Sequence, residues 1–93
     1  MTAPSLDAAF RIPDDVVFRE LDGEAVVLNL DTGIYFGLDA VGTRIWRLIE
    51  ARKPLRIVLD TLIDEYEASP DRLQSDLLAF VERLNGKGLL SLE

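Results

Sequence analysis

Two carboxylates four residues apart, Asp60 and Asp64, have the spacing in this sequence nearest to a catalytic pair. On a helix they would share one face, where one carboxyl group can act as an acid and the other as a base. The apolar stripe of the same segment leaves both on the solvent side, so a solvated acidic face is the better interpretation. Asp31 and Thr32 are explained by turn formation. None of these residues predicts a catalytic site.

Cysteine and histidine are both absent from the chain. Without them there is no disulfide, no thiolate or imidazole ligand for a metal ion, and no histidine to act as a general base. We therefore expect no enzyme activity, no catalytic residues, no metal site and no cofactor.

The net charge is -7, from 17 acidic and 10 basic residues. Such a chain is not attracted to phosphate backbones or anionic lipids, which argues against nucleic-acid and membrane partners. No apolar run approaches the roughly 20 residues needed to cross a bilayer, and "MTAPSLDAAFRIPDD" lacks the order of a signal peptide. These features predict a soluble cytoplasmic protein.

Three short strands open the predicted domain. Asp22-Gly23 separates "VVFREL" from "EAVVLNL", and this dipeptide favours a type I′ hairpin turn. "DTG" separates the second run from "IYFGL", and Gly33 supplies the left-handed residue that a three-residue loop needs. The pattern predicts a three-stranded antiparallel sheet.

Residues 1–15 carry prolines and no hydrophobic period, and they predict a flexible N-terminal arm, so that the domain spans residues 16–93. Phe10 and Ile12 are the apolar residues that would hold this arm to the domain.

Three helices follow the strands. Asp39 is a predicted N-cap for the first helix, and Pro54 suits the first position of the second. Ser69 is a predicted N-cap for the third helix, which ends at "NGKG" before a short terminal strand in "LLSLE". The apolar residues at positions 73, 77, 80, 81 and 84 form one stripe along this helix. Leu78 lies outside that stripe, rotated by roughly 60° about the helix axis. The predicted fold class is α+β, a winged helix-turn-helix with a three-stranded antiparallel N-terminal sheet followed by three helices.

The third strand, Ile34 to Leu38, lies at the edge of this sheet, so half its main-chain groups lack a partner. Its sequence has neither the charge nor the proline that usually protects an edge. The chain termini could cover it, an extended peptide could add a strand, or a second copy could pair across a two-fold axis. Alternation assigns Ile34, Phe36 and Leu38 to the helix-packed face and Tyr35 and Gly37 to the other.

A winged-helix DNA-binding regulator is a further alternative, because such domains often place the last helix in the major groove. The third helix here has no net basic face for phosphates or base edges, since its basic residues are offset by acidic ones. Its basic residues are Arg72, Arg83 and Lys87, and its acidic residues are Asp71, Asp76 and Glu82.

The segment "GEAVVLNLDTGIYFGLDAVGTRIWRLIE", followed by "IVLDTLIDEYEASPDRLQSDLLAFVERLNGKGLL", resembles the PqqD-like family, the leader-peptide recognition domains of ribosomally made peptide natural products. The resemblance covers about residues 16–92 and rests on "YFGLD"-x-x-"G"-x-x-"IW" and the closing "L"-x-x-"GLL". The chain is most similar to free-standing members of lasso-peptide gene clusters. It lacks the usual strand sequence of the branch that makes the quinone cofactor.

The resemblance implies a non-catalytic adaptor that binds the leader of a precursor peptide as an added strand, in a cleft between the third strand and the third helix. The implied partners are that leader, a cysteine-protease-like leader peptidase and a cyclase of the same pathway, with the adaptor a monomer or homodimer. The implied leader-binding residues are Ile34, Tyr35, Phe36, Gly37 and Leu38 on the strand, and Leu73, Gln74, Leu77, Leu78 and Val81 on the helix.

Overall fold

The computed structural model describes residues 6–22 and 24–93. The elements, in chain order, are β1 (Phe10–Arg11), β2 (Val16–Leu21), β3 (Glu24–Asn29), β4 (Tyr35–Leu38), α1 (Ala40–Glu50), α2 (Leu55–Glu65), α3 (Pro70–Gly86) and β5 (Ser91–Leu92). The predicted α+β fold is confirmed: a three-stranded antiparallel sheet is followed by three helices. No helix in the described ranges is long and apolar enough to cross a membrane.

The three-stranded sheet has the order β2-β3-β4, with both pairs antiparallel. Val27 lies at its centre, opposite Phe18 on one side and Phe36 on the other, and is fully buried. Gly33 has φ +77°, which confirms its predicted left-handed conformation. Asp22 also has positive φ, at 52°, but Gly23 lies outside the described residues, so the type I′ turn stays a prediction.

The N-terminal segment, residues 6–12, packs on the domain. β1 pairs antiparallel with β5, and Phe10 is 3% exposed. Pro54 occupies the N-cap position of α2 without a capping side chain, and the segment's carbonyl groups replace that cap. The N–H groups of Leu55 and Arg56 donate to the carbonyls of Ala8 and Leu6 at 3.2 and 2.9 Å.

The structure describes only part of the predicted flexible arm, residues 1–15. Its first five residues, including Pro4, lie outside the described part of the chain, and its flexibility there stays a prediction. From residue 6 onward the segment is tied to the domain by contacts with residues more than 40 positions away. Because β1 and β5 pair with each other, neither covers the edge of β4.

The helix starts follow the predicted capping chemistry. The N–H of Gly42 donates to Asp39 Oδ1 at 2.8 Å, and the N–H of Arg72 donates to Ser69 Oγ at 3.2 Å. Between the helices and the inner face of the sheet lies the core, where Trp46 stacks on Phe18 with ring centroids 6.3 Å apart. The largest fully buried side chains are Trp46, Ile49, Leu55, Leu62, Leu77, Leu84, Leu89 and Leu90.

Candidate functional site

β4 is an edge strand, paired on one side only in the part of the chain that the structure describes. The N–H of Asn29 donates to the Ile34 carbonyl at 2.8 Å, which sets the phase of the β3–β4 ladder. Because inward and outward groups alternate in an antiparallel pair, the main-chain groups of Phe36 face β3, and those of Tyr35 and Gly37 face the open edge. β4 therefore offers the N–H and C=O groups of two residues to an extended partner.

One flank of α3 forms a wall beside this edge. The rings of Phe36 and Phe80 meet edge to face, with centroids 6.5 Å apart. The guanidinium carbon of Arg83 lies 6.0 Å from the centroid of the Phe36 ring. A Cβ on Gly42 would lie 3.2 Å from a ring carbon of Phe80, so glycine at this position lets the ring approach α1. The cleft is bounded by the β4 edge, Phe36, Phe80 and Arg83.

The predicted site residues of the third strand lie at this edge, with one difference. Ile34 precedes β4, is 41% exposed and does not pack on the helices as the alternation predicted, because it belongs to the turn, where its N–H donates to Thr32 Oγ1. Tyr35 is 71% exposed, and a Cβ added to Gly37 would meet no atom within 4 Å. The remaining two face inward: Phe36 is half-buried and Leu38 is buried.

The predicted site residues of α3 are either buried in the core or lie on its other flank. Leu73, Leu77 and Val81 are buried in the core, at 6% exposure or less. Gln74 and Leu78 are half-buried, but at about 100° per residue they project at least about 120° away from Phe80 and Arg83. They therefore lie on the flank of α3 that faces away from β4.

The structure instead brings Phe80 and Arg83 to the cleft, and neither was among the predicted site residues. The apolar stripe of α3 has two flanks. Leu78 extends the apolar surface on one of them, and the sequence therefore favours that flank for a ligand. The signal that identifies the other flank is the contact of Phe36 with α3, which sequence periodicity does not contain.

The outer face of the sheet, on the side away from α3, is also exposed. Leu21, Val26 and Tyr35 are 77%, 44% and 71% exposed there. A depression of about 400 Å³ lies on this face, between Leu21 of β2 and Gly37 of β4. The open edge of β4 and the outer face therefore share Tyr35 and Gly37.

Asn29 connects the β3–β4 hairpin to the loop after α3. It is 7% exposed, and its Nδ2 donates to the Gly88 carbonyl at 2.9 Å. Its Oδ1 accepts hydrogen bonds from the N–H groups of Asp31 and Thr32 at 2.8 and 3.1 Å. Gly88 has φ +74°. This buried amide holds the turn before β4 against the C-terminal end of α3, and so connects the two walls of the cleft.

The charged side chains make ion pairs between elements. Arg44 of α1 donates from Nε and Nη2 to Glu65 of α2, and these hydrogen bonds hold the pKa of Glu65 below its usual value. Arg47 bridges Glu20 and Glu50, whose hydrogen bonds raise its pKa. No cluster of three or more acidic side chains able to hold a metal ion occurs within residues 6–22 and 24–93.

Comparison with known proteins gives a family and two similar structures. Residues 24–90 match the profile of Coenzyme PQQ synthesis protein D (PqqD). TbiB1 in complex with the TbiA(beta) leader peptide is 43% identical, with a TM-score of 0.82 over 87% of this chain and 94% of that chain. Lasso peptide synthetase B1 complexed with the leader peptide is 27% identical, with a TM-score of 0.74 over 89% of this chain and 98% of that chain.

No curated protein sequence matches the chain. The family profile nevertheless covers both walls of the cleft, from β3 to the loop after α3. The chain belongs to the PqqD family.

Proposed function

We propose that this protein is a non-catalytic adaptor that binds the leader of a ribosomally synthesised precursor peptide, in a lasso-peptide pathway. The leader adds to the sheet as a strand on the open edge of β4. The observation that carries the proposal is that edge: two residues with unpaired main-chain groups beside a partly apolar wall. Strand addition uses main-chain hydrogen bonds for affinity and side-chain pockets for specificity. The similarity to two leader-bound structures supports the same ligand class.

The geometry of an added antiparallel strand divides the leader side chains between two environments. Residues directly opposite each other share a face of the sheet. Leader residues opposite Tyr35 and Gly37 therefore point to the outer face, and the residue between them, opposite Phe36, points toward α3. There it meets the half-buried rings of Phe36 and Phe80. This proposal keeps the predicted β4 wall from Tyr35 to Leu38 and takes Phe80 and Arg83 as the α3 wall.

Delivery of the leader needs a second surface, because the processing enzyme must reach the precursor while the adaptor holds it. The proposed recipients are a cysteine-protease-like leader peptidase and then a cyclase. The apolar side chains of Leu21 and Val26 lie on β2 and β3 of the outer face rather than on the β4 edge, so they suit docking of a protein. Val26→Glu should leave leader affinity unchanged and slow leader removal by the peptidase. Unchanged leader removal would argue against this docking surface.

Two variants at Tyr35 test strand addition. Tyr35→Ala removes the exposed side chain and keeps the N–H group, whereas Tyr35→Pro also removes the N–H donor at the open edge. The β3–β4 ladder does not use that N–H, so both variants should keep the native far-UV circular dichroism spectrum. The ligand is a fluorescent leader peptide of the precursor encoded nearest to this gene, titrated by anisotropy. We expect Tyr35→Pro to weaken binding roughly tenfold more than Tyr35→Ala, as loss of one edge hydrogen bond predicts.

Equal affinities of the two variants would contradict strand addition at this edge, and no binding by the wild type would contradict the proposed function. A homodimer through β4 is the rival within the same geometry. Size exclusion with light scattering separates the two, because a dimer that persists at saturating leader would leave no open edge. DNA binding is disfavoured by the net charge of -7 and by the pairing of Arg72 with Asp76 on α3.

A further inference from the structure

Arg83 places a positive charge beside the aromatic pair of Phe36 and Phe80 at the cleft. Its guanidinium lies 6.0 Å from the centroid of Phe36, and Phe36 in turn packs against Phe80. A guanidinium over an aromatic face is attracted to the ring while its N–H donors remain free for another partner. At 6.0 Å this contact is at the outer limit of a cation–π interaction, and it leaves the charge of Arg83 available to a ligand.

Four of the eight arginines make an ion pair within 4.0 Å in the described chain, and Arg83 is among the four that do not. Asp76, the acidic residue on the same flank of α3, forms an ion pair with Arg72, with 3.6 Å between Arg72 Nε and Asp76 Oδ2. An unpaired guanidinium beside an open strand edge is suited to a bidentate carboxylate ligand.

The register of an added strand brings one ligand side chain to this charge. The residue opposite Phe36 points toward α3, between the residues that hydrogen-bond to Tyr35 and Gly37. Arg83 lies on that side of the sheet, over the Phe36 ring. Side chains on the outer face are separated from Arg83 by the sheet itself.

We infer that Arg83 selects an acidic side chain in the bound peptide, at the position opposite Phe36 or at the next cleft-facing position. This inference rests on the proposed function and adds the chemistry of one ligand residue. The rest of the chain contributes a net negative charge, so an acidic ligand residue is favoured beside Arg83 and disfavoured elsewhere. This difference in affinity between an acidic residue beside Arg83 and one elsewhere favours one register of the bound peptide over the others.

A charge scan of the leader tests the inference. Each residue of the fluorescent leader is replaced in turn by Glu and by Lys, and each peptide is titrated against the wild type, Arg83→Glu and Lys53→Glu. Lys53 lies beyond the C-terminal end of α1, whereas β4 adjoins its N-terminal end, so Lys53→Glu controls for net charge. At one cleft-facing position we expect roughly tenfold tighter binding of Glu than of Lys to the wild type, as a partly desolvated ion pair predicts.

The preference for Glu should invert in Arg83→Glu and persist in Lys53→Glu. It should also weaken in about 0.5 M salt, where the Debye length is only a few ångströms. If the unmodified leader binds and Tyr35→Pro still weakens it, but no position inverts its preference in Arg83→Glu, the role of Arg83 is refuted and strand addition stands. If the unmodified leader does not bind the wild type, the proposed function itself fails.

Discussion

Removal of the N-terminal segment should destabilise the whole domain. Phe10 is 3% exposed, and its replacement by alanine removes a buried aromatic ring from the core, which costs about 3–5 kcal/mol. A domain of this size has a total stability of about 5–15 kcal/mol. Phe10→Ala therefore removes a large fraction of the stability although the residue lies in a segment that the sequence assigned to an arm.

A fragment that begins at Val16 loses more than the Phe10 ring. The N–H groups of Leu55 and Arg56 lose their carbonyl partners, at roughly 0.5–1.5 kcal/mol each, and β5 loses its pairing partner. We expect fragment 16–93 to be largely unfolded, or to unfold at much lower denaturant than the full chain.

Urea unfolding followed by the fluorescence of Trp46 measures this effect, because Trp46 is the single tryptophan of the chain and is fully buried. With a slope of about 1–1.5 kcal/mol per molar urea, Phe10→Ala should lower the midpoint by roughly 2 M or more. Arg11→Ala is the matched control, since Arg11 is exposed in the same strand, and it should shift the stability by less than about 0.5 kcal/mol. A fragment 16–93 with the midpoint of the full chain would refute this reasoning.

Three further predictions concern the cleft and its supports. Leu78→Glu should leave leader affinity within about twofold of the wild type, because Leu78 lies on the flank of α3 away from β4, and a tenfold loss in the anisotropy titration would restore it to the site. Asn29→Ala should lower the free energy of unfolding, measured in urea, by about 2–4 kcal/mol, because it leaves the Gly88 carbonyl and two turn N–H groups without partners. A smaller effect would mean that water replaces the amide. By NMR titration, Glu65 should protonate below its usual pKa, and Arg44→Gln should restore the usual value. The stabilisation from this ion pair is present above the pKa of Glu65 in the unfolded state and is lost as the pH falls through the lowered pKa of the folded state. An unshifted pKa would contradict the pairing.

Local chemistry made the strands and the helix starts predictable. Gly33, Asp39 and Ser69 act on residues within three positions of themselves, through a positive φ or a side-chain cap, and short sequence windows contain that information. The open edge of β4 followed from the order of the strands. These features predict the open strand edge that forms one wall of the cleft.

Long-range contacts were not predictable in the same way. Residues 6–12 look unstructured alone, because the groups that order them are the start of α2 and β5. The flank of α3 that faces β4 depends on how the helix is rotated about its axis, and periodicity defines only the buried arc. Leu78 lies just outside the buried arc, which is why the sequence favours it for the cleft, whereas the contact with Phe36 is made by Phe80 and Arg83.

An open apolar edge is a liability for aggregation, and β4 limits this liability by its length. It has only four residues, and short edge strands are one of the ways in which proteins avoid unwanted pairing. The same shortness limits what the edge can contribute to binding, since only Tyr35 and Gly37 turn their main-chain groups outward. Main-chain pairing at two residues cannot distinguish one extended peptide from another. On the proposed function, specificity then comes from the side chains beside the edge, so we expect the flank of α3 that carries Phe80 and Arg83 to contribute more to it than the strand itself.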